Sequence, residues 1–172
     1  MSNGIRHGRT GLFGAAEQLI HGWAIFGGLV LFGIVAINVL SVIGGIFGKP
    51  FPGDFELTQI GVAVAAFAFL PYCELTDANV TADIFTARAS RRWIAAFRTV
   101  AAIVAVGFSA ILLWRMFAGM LDQREYGYTT AILQVPVWLG FIPILISLAL
   151  LFVAALITFW EGCRQSAGRS VL

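Results

Sequence analysis

Charge is scarce in this sequence. Asp, Glu, Lys and Arg make up only 12 % of its 172 residues, where an ordinary soluble domain carries about a quarter. Hydrophobic residues make up 59 %, more apolar surface than a soluble fold of this size can hide. Chemistry-bearing residues are equally few. There are two histidines and two cysteines, with no CxxC spacing and no nucleophile–base pair, so neither a catalytic centre nor a metal or cofactor site is expected. His7 lies in a tail and His21 at the edge of an apolar run. No ionisable residue sits at the centre of any apolar run. Ion-driven pumps and proton-coupled carriers place such groups there, because a charge in lipid is costly to keep without a use. The net charge of +2 is small, and the basic residues fall in short clusters between apolar runs. That pattern excludes a nucleic-acid surface and marks membrane topology.

What is present is four long apolar runs, at residues 23–47, 57–73, 94–120 and 135–159. Each is about long enough to cross a hydrocarbon core of roughly 30 Å. The expectation is an all-α integral membrane protein, residues 1–172 forming one membrane domain with four transmembrane helices. A short amphipathic helix near residues 13–20 is expected to lie on the membrane surface before the first span. Asp54 and Glu56 open the second run, where acids suit the positive end of the helix dipole. Pro136 is placed in the first turn of the fourth helix and Pro143 deeper, where it kinks the helix.

The basic residues set the orientation. Arg6, Arg9, Arg88, Arg91, Arg92, Arg98, Arg164 and Arg169 fall on one side, and only Lys49, Arg115 and Arg124 on the other. Lys/Arg excess marks the cytoplasmic side, so both termini and the loop 74–93 are expected inside. Trp23, Trp93, Trp114, Trp138 and Trp160 are read as anchors at the water–lipid boundaries. The separations Trp93–Trp114 and Trp138–Trp160 correspond to about 31 and 33 Å of helix. Arg98 and Arg115, about 26 Å apart by helical rise, are each expected to reach the nearer headgroup layer.

Polar residues within the runs are few. Asn38, Ser41, Thr58 and Gln59 fall at similar depths and are expected to form an interhelical hydrogen-bond cluster. Gly61, Ala65 and Ala68 form a small-residue seam on the second helix, suited to close helix contact. Cys73 and Cys163 are read as small residues near helix ends. The alternative, a membrane thiol-redox protein, needs paired reactive thiols, and the topology puts both on the cytoplasmic side.

The stretch FELTQIGVAVAAFAFLPYCELTDANVTADIF, residues 55–85, resembles the small membrane subunit of tripartite ATP-independent periplasmic (TRAP) transporters, the DctQ-like family. Glu56 matches the acid that opens the family's second helix. Asn79 to Asp83 occupy its loop pattern, with Asn79 and Thr81 where His and Arg are commonest. TTAILQVPVWLGFIPI, residues 129–144, is similar to the family's entry into the last span through Gln134, Val135, Pro136, Trp138 and Pro143. The tripartite tricarboxylate transporters have a small subunit of similar layout, which is the alternative. The TRAP resemblance implies a non-catalytic multi-pass subunit of the bacterial inner membrane. It implies two protein partners besides membrane lipids: a large membrane (M) subunit and a periplasmic substrate-binding (P) protein. The large subunit would carry sodium-driven symport of an organic acid of dicarboxylate or sialic acid type. Contacts to it are expected at Glu56, Asp83, Arg88, Arg91 and Arg98, near the membrane surfaces.

Overall fold

The computed structural model describes residues 12–76 and 91–167, with side chains for residues 14–76, 100–101 and 103–160. Within these residues the chain forms four long helices: α1 (Leu12–Ile46), α2 (Asp54–Leu75), α3 (Arg91–Glu125) and α4 (Trp138–Ala167). All four are long and apolar enough to cross a membrane, as the apolar runs require. The sequence element expected as a separate surface helix, residues 13–20, is continuous with α1. Ala, Leu and Glu in that stretch favour helix, and no Pro or cap residue interrupts it.

The helices end where the backbone can turn. Gly48 and Gly127 have φ of 69° and 63°. At each, paired bonds close the helix: Lys49 N–H to Gly44 O (2.8 Å) and Gly48 N–H to Gly45 O (3.1 Å), then Tyr128 N–H to Gln123 O and Gly127 N–H to Arg124 O (both 3.3 Å). These are Schellman closures. They carry α1 and α3 to their glycines, so α3 runs past the apolar stretch to Glu125.

Residues 128–137 form a short hairpin-like turn. Thr130 N–H donates to Val135 O (2.9 Å) and Val137 N–H to Tyr128 O (3.0 Å). Pro136, expected in the first turn of α4, lies in an isolated bridge with Thr129 just ahead of it. Proline has no N–H to donate, and its carbonyl accepts from Leu139 at 3.1 Å as the helix begins.

Helix α2 packs on α1 and on α4, and α3 packs on α4, while α1 barely touches α4. The spatial order is α1–α2–α4–α3, a row one helix thick. In the most apolar stretches of α2 and α4, 28 % and 33 % of residues are buried, against 6 % in α1 and in α3. The inner pair therefore holds the core, centred on Val64, Ile144 and Leu148. The small-residue seam of α2 faces α1: Gly61 packs under Ile34 and Ala68 under Gly27, whose added Cβ would lie 2.7 Å from that of Ala68. Gly61, Ala65 and Ala68 are all buried.

Candidate functional site

The polar side chains of α1 and α2 meet at the end of the row that carries the α1–α2 and α3–α4 turns. Asn38 Nδ2 donates to Thr58 Oγ1 at 2.7 Å and to Ile34 O at 2.9 Å. Thr58 Oγ1 donates to Asp54 O at 2.7 Å. Ser41 donates its hydroxyl proton to the Asp54 carboxylate, whose other oxygen accepts from Phe55 N–H at 2.7 Å. The helices run antiparallel, so Asn38 and Ser41, three residues apart, reach Thr58 and Asp54, four apart. Gln59 is exposed and outside this group. One residue beyond Thr58, it points about 100° away around the helix. Asp54 takes its place, a partner that its reading as a dipole-compensating acid did not suggest.

Glu56 is engaged inside the chain. Its carboxylate accepts from the backbone N–H groups of Ile132 (2.7 Å) and Leu133 (3.1 Å), tying the start of α2 to the α3–α4 turn. Two successive amides aimed at one carboxylate form an anion cradle. The Leu133 side chain in turn lies on Gly53, where an added Cβ would come within 2.5 Å of Leu133 Cγ. Gly53 also has φ of 76°, so backbone and packing both require glycine. Gln134, with φ of 53°, makes the reversal that returns Val135 to Thr130. Behind the cradle lies a hollow of about 230 Å³ between α2, α4 and the turn, smaller than a usual ligand pocket.

A second feature lies at the opposite edge of the row. An open groove of about 610 Å³ runs between α3 and α4, lined only by apolar side chains, among them Leu113, Trp114, Phe117, Ile146 and Phe152. Along this contact the Arg124 guanidinium lies 5.6 Å from the Trp138 ring centre, and Gly119 lies beside Phe141. The antiparallel register sets Trp114 and Arg115 level with Leu145 and Ile146. Trp114, read as a boundary residue, is thus eleven residues inside the end of α3 and 72 % exposed. Trp23 reaches across to another helix. Its indole N–H donates to Ser147 Oγ at 2.8 Å, nine residues into α4. Trp138 opens α4, and Trp160 is 58 % exposed.

Of the other residues singled out, Asp83 and Arg88 lie outside the described residues. Arg91, Trp93, Arg98 and Cys163 fall within helices, but their side chains are outside the described set. Cys73 is a half-buried free thiol near the end of α2. His21 meets the edge of Tyr72, with ring centres 5.8 Å apart. No group of three or more His, Cys, Asp or Glu that could hold a metal occurs among the described residues.

A family model described as "Tripartite ATP-independent periplasmic transporters, DctQ component" matches residues 31–165. No curated protein and no solved structure matches the chain.

Proposed function

The chain belongs to the DctQ component family of the tripartite ATP-independent periplasmic transporters, and from that premise we propose that it is a non-catalytic subunit that scaffolds the large membrane subunit of such a transporter. It is a multi-pass membrane protein, and we assign it to the bacterial inner membrane with both termini in the cytoplasm. The large subunit carries the solute, an organic acid of dicarboxylate or sialic acid type, with sodium as the coupling ion. A periplasmic binding protein delivers that solute.

One observation carries this reading: most of the polar side chains described within the spans are directed at the chain itself, Gln59 and Arg115 being the exposed exceptions. Asn38, Ser41, Asp54 and Thr58 bond among themselves, Glu56 bonds the α3–α4 turn, and Trp23 bonds Ser147. Moving an anion and its coupling ions needs polar groups free to face a hydrated path at mid-membrane. Here such groups hold helices in place, which is what a rigid support requires.

The test is reconstitution in liposomes under a sodium gradient, with this chain, the large subunit and the binding protein omitted one at a time. Uptake requires all three. Uptake by this chain without the large subunit would overturn the scaffold reading, as would full uptake in its absence.

A further inference from the structure

We propose that the outward face of α3, centred on Arg115, is the surface that docks the large subunit, and that Arg115 pairs there with a carboxylate on a helix of that partner. This rests on the proposed role as a scaffold and specifies which part of the chain performs it.

Arg115 is ten residues from the end of α3 at Glu125, about 15 Å along the helix. The register with α4 puts it level with Leu145, seven residues beyond Trp138, or about 10 Å toward mid-membrane from the level of Trp138. A fully extended arginine reaches only about 7 Å from its Cα on ordinary bond lengths. The guanidinium therefore stops short of the level at which Arg124 lies over Trp138. Arg115 is exposed and has no hydrogen bond or ion pair among the described residues. No acid stands three or four residues away on α3. Asp122, two turns on, is about 10 Å distant along the axis. A lone guanidinium facing lipid at this depth is costly, and arginines inside membranes pair with acids or carbonyls instead.

The surroundings fit a helix rather than lipid chains alone. Val104, Phe108, Ile111 and Arg115 are spaced four, three and four residues apart. The three apolar members are 62 %, 61 % and 64 % exposed, on a flank about 100° around the helix from the face that α3 turns to α4 through Ser109, Leu112 and Met116. That spacing is the seam of helix–helix packing. A planar guanidinium in the seam selects a carboxylate, which it can bind through two parallel hydrogen bonds. The other edge of the row, α1, exposes Phe32, Val35, Val39 and Val42 with no charge among them, as a lipid-facing surface should.

The experiment introduces a photo-cross-linking amino acid at Phe108, at Ile111 and, as control, at Phe32, in cells that make the whole transporter. Positions 108 and 111 are expected to capture the large subunit and position 32 to yield no such adduct. In parallel, Arg115→Leu is expected to lower the large subunit that co-purifies by about tenfold, with Arg115→Lys retaining part of it. The isolated Arg115→Leu chain should melt no lower than the wild type, because the change removes an unpaired charge. A residue needed only for this chain's own fold would instead lower both. If the wild-type subunits co-purify but only position 32 cross-links, or if Arg115→Leu leaves the yield unchanged, the docking face is elsewhere. If the wild-type subunits do not associate at all, the scaffold reading itself fails.

Discussion

Trp23 and Ser147, 124 residues apart in the chain, are joined by a 2.8 Å hydrogen bond from the indole N–H to the hydroxyl oxygen. The serine hydroxyl in turn donates to the Pro143 carbonyl oxygen at 2.8 Å. This bond links α1 to α4 across the edge of α2, where the two helices otherwise barely touch. Trp23→Phe keeps the ring and removes the donor. Interhelical hydrogen bonds in membranes are worth about 0.6 kcal/mol on average, and a loss of that size is expected in denaturation by SDS. Ser147→Ala should cost a similar amount, and the double variant little more than either alone. Fully additive losses would show that the bond does not couple the helices.

Glu56→Gln keeps the shape of the side chain but leaves one carbonyl oxygen for two backbone donors. The amides of Ile132 and Leu133 are then expected to exchange with solvent deuterium severalfold faster, while amides in the middle of α4 keep their rates. Hydrogen-exchange mass spectrometry on the turn peptide reads this directly. Unchanged protection there would mean that the hairpin holds itself without the carboxylate.

Gly53→Ala meets two obstacles, a left-handed backbone and the Leu133 side chain. A loss of about 1–3 kcal/mol is expected, measured as a drop in thermal stability in detergent. Adding Leu133→Ala removes the steric part and leaves the backbone part, so the double variant should recover only in part relative to Leu133→Ala alone. Full recovery would place the whole cost in the packing.

Orientation is tested with reporter fusions. Fusions after Arg9, within residues 87–92 and after Arg169 should read cytoplasmic, and those near Gly53 and Tyr126 periplasmic. The basic residues divide eight to three between the two sides, and this bias sets orientation. A periplasmic signal from the fusion within residues 87–92 would invert the arrangement.

The sequence announces four spans because lipid-compatible runs are long and continuous, and nothing but a helix satisfies their backbone. Their ends are less legible. A helix propagates through polar residues until a glycine or a turn stops it, so α1 takes in residues 13–20 and α3 extends to Glu125. The meeting of Asn38 with Thr58 was readable from depth alone, since both are polar and near the same turn. The partner of Glu56 was not, because the cradle at residues 132 and 133 arises only once Gln134 adopts a left-handed conformation. Indoles suit a boundary in general; that Trp23 bonds Ser147 and Trp114 lines a groove follows from helix register, which composition does not encode. The same register sets Arg115 level with Leu145, ten residues before the end of α3.

Among the described residues the row of helices has two uncovered edges, and they are not alike. Two copies of this chain in one membrane share an orientation, so meeting along α3 would set Arg115 against Arg115 at the same depth. Like charges in a poorly screened medium repel strongly, and a two-fold contact centred on this seam would bring them together. The arginine thus works against self-association as much as for assembly. It keeps the α3 edge unsuited to its own kind until an unlike chain with the opposite charge arrives.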